Sequence, residues 1–450
     1  MKNKYNVVIE KLLLFMPFLM FILYTNVHFS FAVKSNSNLV FSILKLFNAL
    51  YMRGPYIFFI ISIFLAIYIF INANKKQKII SIATIVGCFL MYSSLLNRES
   101  NIDSLTTLLF VSSYLIGIFY AISLIIYLKD KKVIDINKKI IKSAKACVIY
   151  IAIIFVVAVL SNTSHYSYEA YEQGITAWFR STNGLGHALV FLLPLFILFY
   201  VKEKKKRYLF YIIIISILDL VIGTKACYYG LLSTLFITIL YLVIDFFKNK
   251  KYHYTKLLSL FIIFLASIIV SGNLYVTSNI KKNIEYNTNE QGKVDVIDFV
   301  ISGRDDNVIT IRPYFRESDI FTKTFGLGLY YPRFDFIYVE LDLLDLLYSR
   351  GLYGFLLYVI FFGAIVVDIF KQGFKKIKKC FDIDILLMIL TLAYVGFASI
   401  FVGHVLFNLM PLTVAIMVVI YYMFIIKKEN EIPEKIETNI IKRSKKKKSK

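Results

Sequence analysis

Charged side chains are scarce in this chain. Of its 450 residues, 18% are Asp, Glu, Lys or Arg, whereas 58% are hydrophobic, and the mean hydropathy is +0.68. A soluble protein of this length carries more charge and interrupts its apolar segments more often. Apolar runs of about 20 residues recur here, which is the length a helix needs to cross a hydrocarbon core. The composition therefore predicts an all-α integral membrane protein.

Cysteine is also rare, and its four positions are scattered. Cys88, Cys147, Cys227 and Cys380 have neither the spacing of a metal site nor that of a disulfide framework. The apolar run after Lys11 lacks a small-x-small cleavage site, so we interpret it as a membrane span rather than a signal peptide. We expect neither a metal ion nor another cofactor.

About a dozen apolar segments predict a polytopic membrane domain over residues 1–426. A large loop, 276–349, separates the ninth and tenth segments, and a basic tail, 427–450, follows the last. The short apolar stretch 39–50 predicts an amphipathic helix on the outer membrane surface. The predicted spans are 12–32, 55–73, 79–96, 105–128, 146–161, 184–201, 208–222, 227–247, 257–275, 350–370, 384–402 and 405–426.

Lysine and arginine are divided unevenly between the two sets of alternate loops. The N-terminus, five alternate loops and the tail carry 37 of the 52 basic residues, and nine of the other 15 lie within 276–350. The positive-inside rule therefore makes both termini cytosolic and the large loop extracytoplasmic. The net charge of +23 then reflects cytosolic loops against anionic lipid, and we expect no nucleic-acid partner.

Five polar segments fall on the predicted outer face, and their residues have simpler alternative interpretations. The segments are 178–187, 223–226, 302–316, 340–351 and 403–404. Arg180 could be an interfacial arginine that reaches the lipid head groups. His187 could serve packing or capping, and His404 could be an ordinary interfacial histidine. Lys225 is harder to explain in this way, because it lies between two apolar helices joined by almost no loop, where an unpaired charge costs a few kcal/mol.

The outer-face groups together suit a phosphorylated substrate. Guanidinium groups bind phosphate oxygens in pairs, and a carboxylate or histidine can act as general base on a hydroxyl. Asp342 and Asp345, three residues apart before a span, predict a polar wall facing a cavity. The candidate residues are Arg180, Lys225, Arg304, Arg312 and Arg316 for binding, and Glu340, Asp342 and His404 for catalysis.

Several short motifs, in this order, resemble the O-antigen ligase/polymerase superfamily, in particular its branch found with capsular and exopolysaccharide loci. They extend over about residues 178–405. No one motif is specific, but the ordered set is. The motifs are Phe179-Arg180, Gly223-Thr224-Lys225, Ser302-Gly303-Arg304, Phe325-Gly326, Glu340-Leu341-Asp342, Gly351 with Gly354, and Gly403-His404-Val405.

The resemblance implies a fold and an activity. Family members transfer a sugar chain from undecaprenyl diphosphate at the outer face of the cytoplasmic membrane, without a metal ion and with a GT-C-like arrangement. Arginines in two outer loops would hold the diphosphate, which matches Arg180 and Arg304, with Arg312 and Arg316 as further candidates. The implied partners are the lipid-linked oligosaccharide, membrane lipid, and a chain-length regulator and flippase of the same pathway.

Three functions remain open at this stage. A polymerase joins lipid-linked repeat units, whereas a ligase transfers the glycan to a different acceptor. The Ile-, Lys- and Asn-rich composition suggests a low-GC organism, which favours the polymerase. A polysaccharide flippase is the third option. It is disfavoured because such transporters have two related halves with charges near the midplane, whereas no internal repeat is evident here.

Overall fold

The computed structural model describes most of the chain, and the described part is almost entirely helical. Its residues are 2–26, 38–96, 104–168, 173–179, 181–203, 205–249, 254–273, 304–328, 339–377 and 381–448.

The first half of the chain forms six helices, a hairpin and four further helices. They are α1 (Lys2–Leu23), α2 (Asn38–Met52), α3 (Gly54–Asn72), α4 (Lys75–Leu96), α5 (Ser104–Lys129), α6 (Val133–Leu160), β1 (His165–Tyr168), β2 (Gln173–Ala177), α7 (Thr182–Glu203), α8 (Arg207–Ile222), α9 (Lys225–Asn249) and α10 (Tyr254–Asn273).

The second half begins with two short helices that lie within the predicted large loop. They are followed by three long helices, the second of which ends in a π-helical turn. These elements are α11 (Arg304–Glu317), α12 (Ile320–Phe325), α13 (Asp342–Ile377), α14 (Ile383–Phe397) with the π-helix Ala398–Val402, and α15 (Leu409–Lys448).

Ten of the described helices are long and apolar enough to cross a membrane, which confirms the all-α membrane class. The ten are α3 to α7, α9, α10, α13, α14 with its π-helix, and α15. Helix α8 covers the predicted span 208–222, and α1 covers residues 12–23 of the predicted span 12–32, so a helix overlaps every predicted span. The largest differences at the start of a helix lie at α6, α1 and α13, which begin 13, ten and eight residues before their predicted spans, and α15 continues 22 residues beyond its predicted end.

Helices α7 and α15 form the centre of the bundle. Every residue of 184–201 in α7 is buried, and nearly all of 409–426 in α15 is buried against it. Outer helices instead present large apolar side chains, such as Ile60 of α3 and Ile269 of α10, to their surroundings. Because lipid is as apolar as these side chains, close packing rather than hydrophobic burial must hold the central helices together.

A two-stranded hairpin lies at the end of the bundle where α7 begins. Strands β1 and β2 are antiparallel, with His165 opposite Ala177. The following Trp178 is buried, and its indole nitrogen donates a hydrogen bond to the Thr163 hydroxyl at 2.9 Å. The predicted amphipathic helix coincides with α2, whose Phe47 packs against this tryptophan. The sequence analysis did not predict this hairpin, because strands of four and five residues are too short to show a clear alternation of apolar and polar side chains.

Helix α13 is broken at Gly351, where φ is +69° and ψ is −178°. This conformation is essentially restricted to glycine. The carbonyls left free by the break are satisfied by the motif after α12, because the N–H of Leu327 donates to Tyr348 O at 2.7 Å and that of Gly328 to Ser349 O at 3.1 Å. The break thus fixes the first turns of α13 to the loop that follows α12.

Replacing Gly351 by alanine should destabilise the protein by about 1–3 kcal/mol, because of the glycine-only backbone conformation. The new Cβ would also lie 2.3 Å from Thr324 O. Gly363, in the same helix, is a matched control, since a Cβ there meets nothing within 4 Å. The thermal midpoint of the detergent-solubilised variants measures the effect. Equal midpoints for Gly351→Ala and Gly363→Ala would contradict this account of the break.

Candidate functional site

Glu340 lies at the centre of a cluster of charged groups. Its Oε2 is 3.3 Å from Arg304 Nε and 3.7 Å from His404 Nε2. The guanidinium of Arg304 is nearly buried, whereas the side chain of Glu340 is 44% exposed. Arg304 begins α11, Glu340 precedes α13 and His404 follows the π-helix, so three separate segments of the chain meet here. The carboxylate is therefore open to solvent while held by two basic groups.

Asp342 holds two of these segments together. Its Oδ2 accepts hydrogen bonds from the backbone N–H groups of Val405 at 2.8 Å and Leu406 at 2.9 Å. Gly403 has a φ of +72°, and a Cβ there would lie 2.1 Å from Glu340 O. Glycine at this position lets the segment with His404 approach the segment with Glu340. This contact brings the two motifs together in the fold.

The prediction that Asp342 and Asp345 form a polar wall facing a cavity is wrong. Asp342 and Asp345 are both buried. Asp345 Oδ1 accepts a hydrogen bond from Val339 N at 2.6 Å. Both carboxylates thus satisfy backbone N–H groups of irregular segments, which would otherwise be buried without an acceptor. Of the two predicted catalytic acids, Glu340 is therefore the exposed one, whereas Asp342 holds backbone segments together.

Lys225 contributes a second full positive charge to the site. Gly223, with a left-handed φ of +74°, ends α8, and Lys225 begins α9 two residues later. The half-buried ammonium group of Lys225 and the guanidinium of Arg304 repel each other electrostatically. Two neighbouring cations suit an anionic ligand, because its negative charge offsets their mutual repulsion.

The other predicted binding residues lie apart from this cluster or outside the described residues. Arg312 and Arg316 are exposed on α11, and Arg312 interacts electrostatically with Tyr348. Arg180 lies outside the described residues, as do Ser302 and Gly303. The structure thus brings together Lys225, Arg304, Glu340, Asp342 and His404, and it does not bring Arg312 or Arg316 into contact with them.

Arg350 is a buried cation that the sequence interpretation passed over. Its guanidinium donates to Ser113 Oγ at 3.0 Å and lies over the rings of Tyr114 and Phe407, 5.2 and 5.8 Å from their centroids. The predicted span began at residue 350, which placed the arginine at the boundary between the large loop and the span. A span starting at Asp342 would have placed it inside the apolar segment, where a charge signals function or a specific partner.

A second charged cluster occupies the opposite ends of the helices. Carboxylate oxygens of Asp382, Asp384 and Glu429 lie within 4.8 Å of one another, a spacing that could hold a metal ion. Lys376 Nζ is 2.7 Å from Asp382 and 3.2 Å from Asp384, and it also contacts Glu429. Lys202 contacts the same group of acids. Because two ammonium groups already form ion pairs with these three carboxylates, the donor set fits a salt-bridge network better than a metal centre.

These features define an all-α membrane protein with a cationic site at one end of its bundle. A family model described as "O-antigen ligase like membrane protein" matches residues 40–295 and 276–431. The chain therefore belongs to this family of multi-pass membrane proteins that process glycans. Searches of curated proteins and of solved structures gave no match. The GT-C-like arrangement stays a prediction.

The contacts of Glu340 make the stability of the protein depend on pH. The contact with His404, together with the charge of Arg304, lowers the pKa of Glu340 from its ordinary value of 4.5. The folded state therefore favours the ionised carboxylate, and this stabilisation is complete above pH 4.5 and is lost as the pH falls through the lowered value.

We expect the difference in thermal midpoint between the wild type and Glu340→Gln to be largest at pH 7 and to shrink below pH 4.5. Detergent-solubilised protein, heated in buffers from pH 7 to pH 3.5, measures it. A difference that stays constant over this range would show that the ion pairs of Glu340 do not stabilise the fold.

Proposed function

We propose that this protein polymerises oligosaccharide repeat units linked to undecaprenyl diphosphate, at the outer face of the cytoplasmic membrane. Membership of the O-antigen ligase-like family supports a membrane glycosyltransferase. The observation that carries the proposal further is the joint position of Lys225 and Arg304 at one end of the bundle, next to an exposed carboxylate and a histidine. That end is the outer face if the basic loops are cytosolic.

The two cations suit the leaving group of this reaction. As the bond between the sugar and the diphosphate breaks, its electron pair moves to the diphosphate, whose negative charge increases. Groups already fixed near this charge stabilise the transition state more than the ground state. Arg304 is well placed for this role, because its nearly buried guanidinium is held by Glu340 before the substrate arrives. Lys225, and Arg180 from its loop, would add further charge.

His404 and Glu340 have different roles in removing the proton of the acceptor hydroxyl. The acceptor hydroxyl attacks the anomeric carbon and must lose its proton as the new bond forms. A carboxylate with a lowered pKa is a weak base, so the contact between Glu340 and His404 favours the imidazole as the base and the carboxylate as the group that orients it and stabilises its charged form. Asp342 supports both through the backbone of Val405 and Leu406.

Ligase activity is the alternative within the same chemistry, since only the acceptor differs. A second lipid-linked repeat unit as acceptor gives a ladder of products, whereas any other acceptor gives a single transfer. A flippase would move the lipid-linked unit without forming a bond. Purified protein in liposomes, given one lipid-linked repeat unit, separates the three, because only a polymerase produces a ladder from that substrate alone.

Arg304→Ala should reduce polymer formation about 100-fold or more, the typical cost of removing one fixed group that stabilises developing charge. Arg304→Lys should retain part of the activity, because lysine keeps the charge but loses the planar pair of donors. Product ladders from reconstituted liposomes measure the effect, with the amount of protein in the membrane measured in parallel.

Lys323→Ala is the matched control for loss of a basic residue. Lys323 lies in α12, within the same predicted outer loop, and its backbone N–H bonds to Asp319 O within its own helix. We expect wild-type chain lengths from this variant. Wild-type chain lengths from Arg304→Ala would overturn the assignment of Arg304 to the diphosphate.

A further inference from the structure

His187 forms a deeper layer of the site, in the second turn of α7. It is fully buried, and it interacts electrostatically with both Arg304 and His404. The ring packs against Phe191, with the ring centroids 6.4 Å apart, and against Tyr394, 5.7 Å away. Its position is therefore fixed by its neighbours, within electrostatic range of Arg304 and His404.

The Nδ1 atom of His187 forms a hydrogen bond with Tyr394 on α14. Nδ1 lies 2.9 Å from the Tyr394 hydroxyl, which in turn donates to Ala226 O at 3.3 Å. The tyrosine has a single hydroxyl hydrogen. When the tyrosine hydrogen goes to Ala226 O, or to Cys227 Sγ at 3.9 Å, His187 Nδ1–H is the donor to the tyrosine oxygen. In the neutral imidazole this places the hydrogen on Nδ1 and leaves Nε2 as an acceptor.

Nε2 of His187 is buried, and no group of the described residues lies within hydrogen-bonding distance of it. A buried acceptor without a donor costs free energy, which a ligand that brings a donor recovers. The oxygens of an ionised diphosphate diester carry no hydrogen, so they cannot supply this donor. A sugar hydroxyl can.

We propose that His187 Nε2 accepts a hydrogen bond from a hydroxyl of the sugar residue bound beside the diphosphate. His187 is thus a positioning residue that determines where the sugar lies, while Lys225 and Arg304 hold the diphosphate. Tyr394 sets the tautomer that makes this possible. This inference rests on the proposed function, because it requires a glycan linked to a diphosphate at the site.

Two amide substitutions distinguish this role from packing. The side-chain amide of glutamine reaches the position of Nε2, whereas that of asparagine is shorter and reaches only the position of Nδ1. We expect His187→Asn to raise KM for the lipid-linked repeat unit roughly tenfold with little change in kcat, and His187→Gln to restore most of the loss. Tyr394→Phe, which removes the partner of Nδ1, should raise KM in the same direction by a smaller factor.

The measurement uses the full-length protein in liposomes with the lipid-linked repeat unit isolated from its native host. Equilibrium binding of that unit is measured beside turnover, and inhibition by inorganic diphosphate serves as the control. Inhibition by diphosphate should be the same for the wild type and His187→Asn, and weaker for Arg304→Ala. Thermal midpoints identify any variant that fails to fold, and Tyr394→Phe then provides the test.

The outcomes separate the two proposals. Equal binding of the repeat unit by the wild type, His187→Asn and Tyr394→Phe would overturn the role of His187 alone. A wild type that binds the unit but never joins two of them would overturn the polymerase alone. A wild type that does not bind the unit would overturn both. Equal losses in His187→Asn and His187→Gln would indicate packing and contradict the hydrogen bond.

Discussion

The two hydrogen bonds from the backbone of Val405 and Leu406 to the carboxylate of Asp342 are the contact on which the site depends. They join the segment before α13 to the segment between the π-helix and α15. Because the bonds are directional, they fix the relative position of the two segments and not only their proximity. Glu340 and His404 lie on either side of this contact, so the distance between their side chains follows from it.

Glycines make that arrangement possible at two positions. Gly403 lets the two segments approach until a Cβ could not fit between them, and Gly351 breaks α13 so that the loop after α12 can bond to the freed carbonyls. Both lie next to charged or polar residues of the site. The backbone around the candidate site is thus shaped by close approach, whereas the lipid-facing helices are regular and rely on length and apolar composition.

The sequence predicted the class of fold well because membrane spans carry a strong signal in length and hydropathy. It also placed Lys225, Arg304, Glu340 and His404 on one face by counting basic residues in loops, and the structure brings these four together. It could not assign Asp342 and Asp345 to backbone contacts, because an acid before a helix looks the same whether it faces a cavity or a neighbouring segment. Arg350 was missed because the start of α13 was placed eight residues too late.

The contacts that join the segments differ between the two ends of the bundle: backbone hydrogen bonds to Asp342 beside an ion pair at the site, and a cluster of ion pairs at the opposite end. At the end opposite the site, Lys376 is shared among Asp382, Asp384 and Glu429. Coulomb attraction falls slowly with distance, so such a cluster keeps most of its strength when the helices slide by an ångström. Hydrogen bonds to one carboxylate do not tolerate the same displacement. The bundle is therefore held rigidly at the candidate site, whereas its opposite end tolerates small shifts of the helices.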